Sequence, residues 1–317
     1  MRRSSLTILN LLVVFACFGQ AQPPKDSTAA NTSPDLIVTL LGTGMPQPVM
    51  ERFGPSILVQ AGSETLLFDA GRGCLQRLRQ LNVSYNEIDV LFLTHLHSDH
   101  VVGLPDLWLT GWLVSDRLVP LNVYGPPGTR QMTEYLQKAF AFDINIRVDD
   151  DKKLAQGSRL STKEIRQGLL YEQNGVRVIA VSVDHHPRIP AFGYRIEYNQ
   201  HSVVLSGDTR YSENLVSFAK GTDLLVHEVV IAPDTVLTTD PKYPVFAHHT
   251  TIEQAALVFK KAAPKLAVYS HIVKPFGRNE QELLGRTKAV YPGRVLIGED
   301  LMQFTIGDSI KVTTWKK

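Results

Sequence analysis

The sequence predicts an α/β protein of four layers, an αββα sandwich of two mixed sheets face to face with helices outside both. Two observations carry that expectation. Apolar runs of strand length alternate with segments of helical spacing in both halves of the chain. His and Asp residues fall just after several of those runs, where side chains from different strands converge on one sheet edge. The halves share no strict repeat, so a site is expected across the edge that the two sheets have in common.

The N-terminus stands outside this scheme. Met1-Arg2-Arg3 is basic, the run from Leu6 to Phe18 is apolar, and Gly19-Gln20-Ala21 offers the small residues a signal peptidase reads. The run is too short for an ordinary transmembrane helix. Residues 1–21 are therefore expected to be a cleaved signal peptide, making the protein periplasmic or secreted with no transmembrane segment left. Val14-Phe15-Ala16-Cys17 gives a weaker alternative, a lipoprotein anchored at Cys17. Residues 22–35, rich in Pro, Ser, Thr and Ala, read as a disordered linker, and residues 36–317 as one domain.

Loss of residues 1–21 removes two of 33 basic residues and none of 31 acidic ones, leaving a formally neutral chain. Such a chain has no global field to attract nucleic acid or an anionic membrane, so neither is an expected partner. A homodimer is compatible with the sequence. Cys74 becomes the only cysteine, which excludes an intramolecular disulfide, and its helical setting predicts a buried, inert thiol.

Within the domain, the β-branched run 36–41 starts the first sheet and stops at Gly42-Thr43-Gly44. Residues 56–60 and 65–69 form a hairpin across Ala61-Gly62-Ser63. A helix follows to about Leu81, then the strand 90–93, an apolar helix from Leu104 to about Leu113, the strand 121–124 and a helix over 130–142. Residues 144–166 carry no clear period, and Asp149-Asp150-Asp151 reads as a solvated turn. Strands resume at 170–172, 176–183, 193–198 and 202–206, with His201 on the surface in a polar turn. Residues 224–226 end at His227-Glu228. Thr251 with Gln254 makes a capping box for a helix that Pro264 ends, and 266–270 delivers His271 at a strand end. Short strands close the chain from 295 to 315.

The chemistry concentrates in Thr94-His95-Leu96-His97-Ser98-Asp99-His100, three imidazoles and a carboxylate after the strand Val90-Leu91-Phe92-Leu93. On an extended segment, i and i+2 point the same way, so His95 and His97 reach one point. As the chain turns into a helix, Asp99 and His100 swing toward a second. Imidazole and carboxylate are the usual ligands of zinc and related divalent ions. Asp208, in Ser206-Gly207-Asp208-Thr209, is a carboxylate held at a tight turn and placed to bridge two cations.

These segments, with Val183-Asp184-His185, His227-Glu228, His249-Thr250-Thr251 and Ser270-His271, occur in the order of the metallo-β-lactamase superfamily. Leu41-Gly42-Thr43-Gly44-Met45-Pro46 and Asp69-Ala70-Gly71 also fit. The chain resembles that superfamily over about residues 36 to 300, nearest to ribonuclease Z and the related arylsulfatase-type hydrolases. The resemblance implies the metallo-β-lactamase fold and a metal-dependent hydrolase with two zinc ions, manganese or iron being alternatives. It implies that His95, His97 and His185 hold one ion with Asp208 as bridge, and that Asp99, His100, Asp208 and His271 hold the other. Asp99 would also orient the attacking water, and His249 would donate a proton or hydrogen bond to the substrate. His227 and Glu228 would fix ligand orientation. His185 competes with His186, and His249 with His248; the family's Asp-His and His-Ser/Thr-Thr steps favour His185 and His249.

Ribonuclease Z proteins carry a long arm that grips transfer RNA, inserted between the Gly-Tyr strand and the Gly-Asp-Thr turn. Only Arg195 to Ser206 lies between Tyr194 and Gly207, enough for a hairpin. With export and neutral charge, this favours an arylsulfatase-like hydrolase of a small sulfate or phosphate ester. The alternatives are a ribonuclease Z-like phosphodiesterase processing 3′ ends of transfer RNA and, as a non-enzyme, a catalytically silent metal-binding protein. β-Lactam hydrolysis is not expected, because the lactamases lack the Asp99-His100 pair in this form and the His249-Thr-Thr motif.

Overall fold

The computed structural model describes residues 36–186, 189–231, 244–274 and 280–315. The expected signal peptide and the whole of the expected linker lie outside these residues. The first half contains β1 (Leu36–Gly42), β2 (Ser56–Ala61), β3 (Glu64–Phe68), α1 (Cys74–Gln80), β4 (Val90–Phe92), α2 (Ser98–Val101), α3 (Leu104–Leu113), β5 (Leu121–Gly125), α4 (Thr129–Ala139), α5 (Ala141–Asp149) and β6 (Leu160–Glu164). The second contains β7 (Gly168–Gln173), β8 (Val176–His186), β9 (Ile189–Tyr198), β10 (His201–Leu205), α6 (Glu213–Phe218), β11 (Leu224–Val230), α7 (Ile252–Ala262), β12 (Leu266–Val273), α8 (Gln281–Val290), β13 (Val295–Ile297), β14 (Gln303–Ile306) and β15 (Ile310–Thr313).

The strands form two mixed sheets, ordered β15-β14-β1-β2-β3-β4-β5-β6 and β13-β12-β11-β10-β9-β8-β7. β1 lies between β2 and β14, so the last strands of the chain close onto its first sheet.

Three apolar clusters define the four layers. Leu36, Val38, Leu66, Phe68 and Phe92 of the first sheet meet Val178, Tyr194, Ile196, Val203 and Val268 of the second, all buried between the sheets. The opposite face of the first sheet, with Leu58, Leu67, Leu91 and Val123, packs on Leu75 and Leu78 of α1 and Leu107 and Trp108 of α3. The outer face of the second sheet, with Val204, Leu225 and Ala267, takes Leu215 of α6, Phe259 of α7 and Leu283 of α8. Burying one such Leu or Phe side chain contributes about 1.5–3 kcal/mol. The capping box of α7 is present in both halves, Thr251 Oγ1 accepting from Gln254 N and Thr251 N donating to Gln254 Oε1.

Three expectations change. Residues 144–166, without a readable period, hold the end of α5 and all of β6, and Asp149 closes a helix rather than sitting in a turn. No residue of α5 is buried and Phe142 is 81% exposed, so this helix shows no apolar stripe to read. His201 is half-buried at the start of β10, with Nδ1 3.5 Å from Asp223 Oδ2. Cys74 is buried as expected, and burial pushes its thiol up to about 12. Among the described residues no helix is long and apolar enough to cross a membrane.

Candidate metal centre

β4 and the turn after it bring four of the expected side chains to the shared edge. Past Phe92 the chain stays extended through His97, whose backbone (φ −64, ψ 146) precedes the turn of α2. His95 and His97 thus face one side, and Asp99 and His100 come round on the helical turn. The second sheet supplies His185 near the end of β8, Asp208 after β10 and His271 within β12. Gly207 makes the turn before Asp208 possible: its φ is +59, and a Cβ there would lie 2.5 Å from Phe192 O.

Among the described residues, five groups of three potential ligand atoms lie within 4.8 Å of one another: His95, His97 and His185; His95, His100 and Asp208; Asp99, His100 and His271; and two that include His249, with His185 and Asp208 and with Glu228 and His271. Nε2 of His185 is 3.1 Å from Nδ1 of His97. Asp208 Oδ2 lies 3.4 Å from Nε2 of both His100 and His271, and 3.8 Å from Nε2 of His95. Asp99 Oδ2 is 3.3 Å from His271 Nε2. All are buried except His97, which is half-buried.

These residues fit divalent cations. His95 Nε2, His100 Nε2 and Asp208 Oδ1 are buried without a hydrogen-bond partner in the protein, a costly state for polar atoms unless a cation takes their lone pairs. Burial pulls His95 well below the usual imidazole range and His185 down to about 4, and it lowers His97 as well. The neutral imidazole is the form that ligates. Asp208 resists its own desolvation: the surrounding His271 and His100 hold its carboxyl well below the carboxylate range. At His100 burial again opposes charge, but Asp208 and Asp69 outweigh it and hold the ring well above its ordinary pKa.

Most of the remaining ring nitrogens are pinned by protein groups. His100 Nδ1 is 2.7 Å from Asp69 Oδ2, His185 Nδ1 is 2.9 Å from the His248 carbonyl, and His95 Nδ1 is 3.0 Å from Thr94 Oγ1. Such outer contacts fix tautomer and ring angle. Asp69 accepts from both the backbone N–H and the hydroxyl of Thr94, each at 2.8 Å. Asp69 and Thr94 were not assigned roles from the sequence, although Asp69 follows a strand in the same manner as the ligand-type residues. Asp69 and His271 both hold left-handed backbones, φ 59 and 43, a strain of about 1–3 kcal/mol each that clusters at functional sites.

His249 lies at the rim, 9% exposed, with Nδ1 3.1 Å from Glu228 Oε2. The other oxygen of Glu228 accepts from Thr250 N at 2.7 Å. Burial disfavours the charged ring, yet Glu228 outweighs it and raises His249 above its ordinary value. Glu228 therefore has the orienting position expected of it. His227 does not. Its Nδ1 contacts the Glu228 carbonyl and its ring stands edge-on to Phe259 of α7, on the far face of β11. Adjacent residues on a strand point to opposite faces, so only one of the pair can serve the centre. The side chain of His186 lies outside the described residues.

Comparisons with known proteins agree with this architecture. The family model described as "Anti-Pycsar protein Apyc1" matches residues 36–239. A protein named ribonuclease Z, from Mycolicibacterium gilvum, is 38% identical over 271 residues, covering 83% of this chain and 94% of that one. Among solved structures, the human tRNase Z, short form, has a TM-score of 0.64 at 26% identity, covering 86% of this chain and 99% of that one. The metallo-β-lactamase fold protein YhfI from Bacillus subtilis has a TM-score of 0.67 at 20% identity, covering 84% and 98%. The chain belongs to the metallo-β-lactamase-fold hydrolases, in the family of these ribonuclease Z relatives, and is a metal-dependent hydrolase.

Proposed function

From that membership we propose that the chain is a dinuclear zinc phosphodiesterase of ribonuclease Z type, acting on an RNA phosphodiester. The observation that carries this reading is the 38% identity to a protein named ribonuclease Z across 94% of its length. It reverses the order expected from the sequence, in which a small sulfate or phosphate ester came first and nucleic acid was not an expected partner. The argument from the missing arm loses its force. The turn between β9 and β10 is only Asn199-Gln200, yet the likeness to that relative runs over 94% of its length.

In this proposal His95, His97, His185 and Asp208 hold one zinc, and Asp99, His100, Asp208 and His271 the other. When bound, the ions would lower the pKa of water and offset charge on the phosphoryl oxygens. The chain's own groups supply the rest. Asp99 orients the attacking water through its carboxylate. His249, kept charged by Glu228, donates a proton from its ring to the leaving oxygen. Asp69 and the His248 carbonyl hold the His100 and His185 rings at the angles their neighbours require.

One consideration favours a second reading, a small phosphodiester or sulfate ester: without residues 1–21 the chain is formally neutral and offers no long-range attraction for a polyanion. Export through residues 1–21 remains part of the proposal, and a reporter fused to those residues should be secreted and cut near Ala21. The decisive test gives the zinc-loaded protein a precursor transfer RNA with a 3′ trailer, an unrelated RNA of equal length, bis-p-nitrophenyl phosphate and p-nitrophenyl sulfate. Site-specific 3′ cleavage with diester hydrolysis supports the first reading. Diester hydrolysis without RNA cleavage supports the second, and turnover of the sulfate alone defeats the phosphodiesterase.

A further inference from the structure

Each group of three ligand-type atoms built around His95 to His100 draws members from both sheets: His185, Asp208 or His271 always faces residues that follow β4. The spacing of the sheets at this edge is therefore a coordinate of the centre itself. Of the hydrogen bonds that cross the seam there, two reach the base of the His95 segment. Tyr194 of β9 donates its hydroxyl to the Leu93 carbonyl at 2.6 Å, and Phe192 N donates to the Thr94 carbonyl at 2.9 Å.

The first bond acts on a peptide plane that is also held from the other side. The Leu93 carbonyl belongs to the peptide whose N–H, that of Thr94, donates to Asp69 Oδ1 at 2.8 Å. The second sheet thus holds the oxygen end of this plane and the first sheet its nitrogen end. Asp69 passes the constraint on to the His100 ring. Tyr194 is fully buried, and its ring packs against the stacked pair Phe68 and Phe92, centroids 5.2 and 5.6 Å away, so the hydroxyl has little freedom to move. In register it opposes Leu205, three residues before Asp208.

We propose that Tyr194 is a positioning residue whose hydroxyl sets the separation of the two half-sites and hence the fit of the ions held between them. This rests on the two-zinc reading above. Tyr171 of β7 gives a matched control, because its hydroxyl also crosses between the sheets, to buried Glu64 of β3, at the end remote from the metal segment.

The test titrates the purified full chain with Co(II) and Zn(II) as wild type, Tyr194→Phe and Tyr171→Phe, reading stoichiometry by elemental analysis and geometry by the visible Co(II) spectrum. Phe keeps the ring packing, and thermal unfolding before metal addition reports whether the variant folds. Tyr194→Leu is the second variant, read in the same way. Tyr194→Phe should bind one of the two ions at least ~10-fold more weakly, the lower scale for lost outer contacts, with an altered spectrum. Tyr171→Phe should lose thermal stability and bind as wild type does. Equal binding and identical spectra in all three proteins would overturn the role of Tyr194. Uptake of a single ion by the wild type would instead remove the two-zinc reading, and this proposal with it.

Discussion

His249 Nδ1 and Glu228 Oε2 lie 3.1 Å apart in a buried pair at the rim of the candidate centre. Glu228 fixes the orientation of the His249 ring and raises its pKa through Nδ1, leaving Nε2 free of this contact. Replacing His249 by Ala should leave metal content unchanged while turnover falls by roughly 10²–10⁴-fold, the scale of a positioned general acid. The loss should shrink for a nitrophenolate leaving group, which needs no proton. Elemental analysis beside steady-state rates separates this from ligand loss, and a missing ion would make His249 a ligand.

Asp208 behaves differently because its oxygens approach His95, His100 and His271 together. Asp208→Ala should lose metal and turnover in parallel. An Asp208→Ala protein that keeps both ions would exclude a bridging carboxylate.

Asp69 touches no candidate metal position except through His100 and Thr94. Asp69→Ala should weaken metal binding by about 10–100-fold without abolishing it. Competition against a chromophoric chelator measures this, and unchanged affinity would reduce Asp69 to a turn residue.

Cys74 offers a check remote from the site. With the thiol pushed up to about 12 by burial, almost none is thiolate at neutral pH. Iodoacetamide should leave the Cys74 peptide unmodified in native protein and label it fully after denaturation, as read by mass spectrometry.

Glu280 binds Arg52 Nη2 at 2.5 Å and Lys274 Nζ at 2.6 Å. Its burial alone would raise the pKa, but Arg52 and Lys274 outweigh that and lower it. A depressed carboxyl pKa contributes stability above the unfolded-state value, and that stability is lost as pH falls through the folded value. Glu280→Gln should therefore lower Tm at pH 7, with the gap to wild type closing below about pH 4, near the ordinary Glu pKa. A pH-independent gap would point to packing alone.

Much of this molecule was legible because its signals are local. The run Val90-Leu91-Phe92-Leu93 reads as a buried strand from composition, and His95, His97, Asp99 and His100 follow it too densely for chance. The helices α5 and α8 were missed, since α5 buries nothing and α8 buries only Leu283 and Thr287. Asp69 fits the superfamily pattern, but its role is not legible because an Asp after a strand has the pattern of any turn, and its partner His100 is 31 residues away. His227 and Glu228 are neighbours on β11, and the fold sets Glu228 beside His249 and His227 beside Phe259, a division that adjacency in sequence does not show. The branch of the family lay beyond local pattern, because a short hairpin says which substrate grip is missing and not which bond is cut.

The interleaving of the two sheets also governs when the protein can become active. Synthesis runs from the N-terminus, so the His95 to His100 cluster leaves the ribosome long before Asp208 and His271 exist. β1 waits longer still for its neighbour β14, whose Ile306 pairs with Leu36. A nascent chain thus carries half a centre on an unfinished sheet, able to attract a stray cation and unable to cut anything. Hydrolytic competence therefore arrives only near the end of translation.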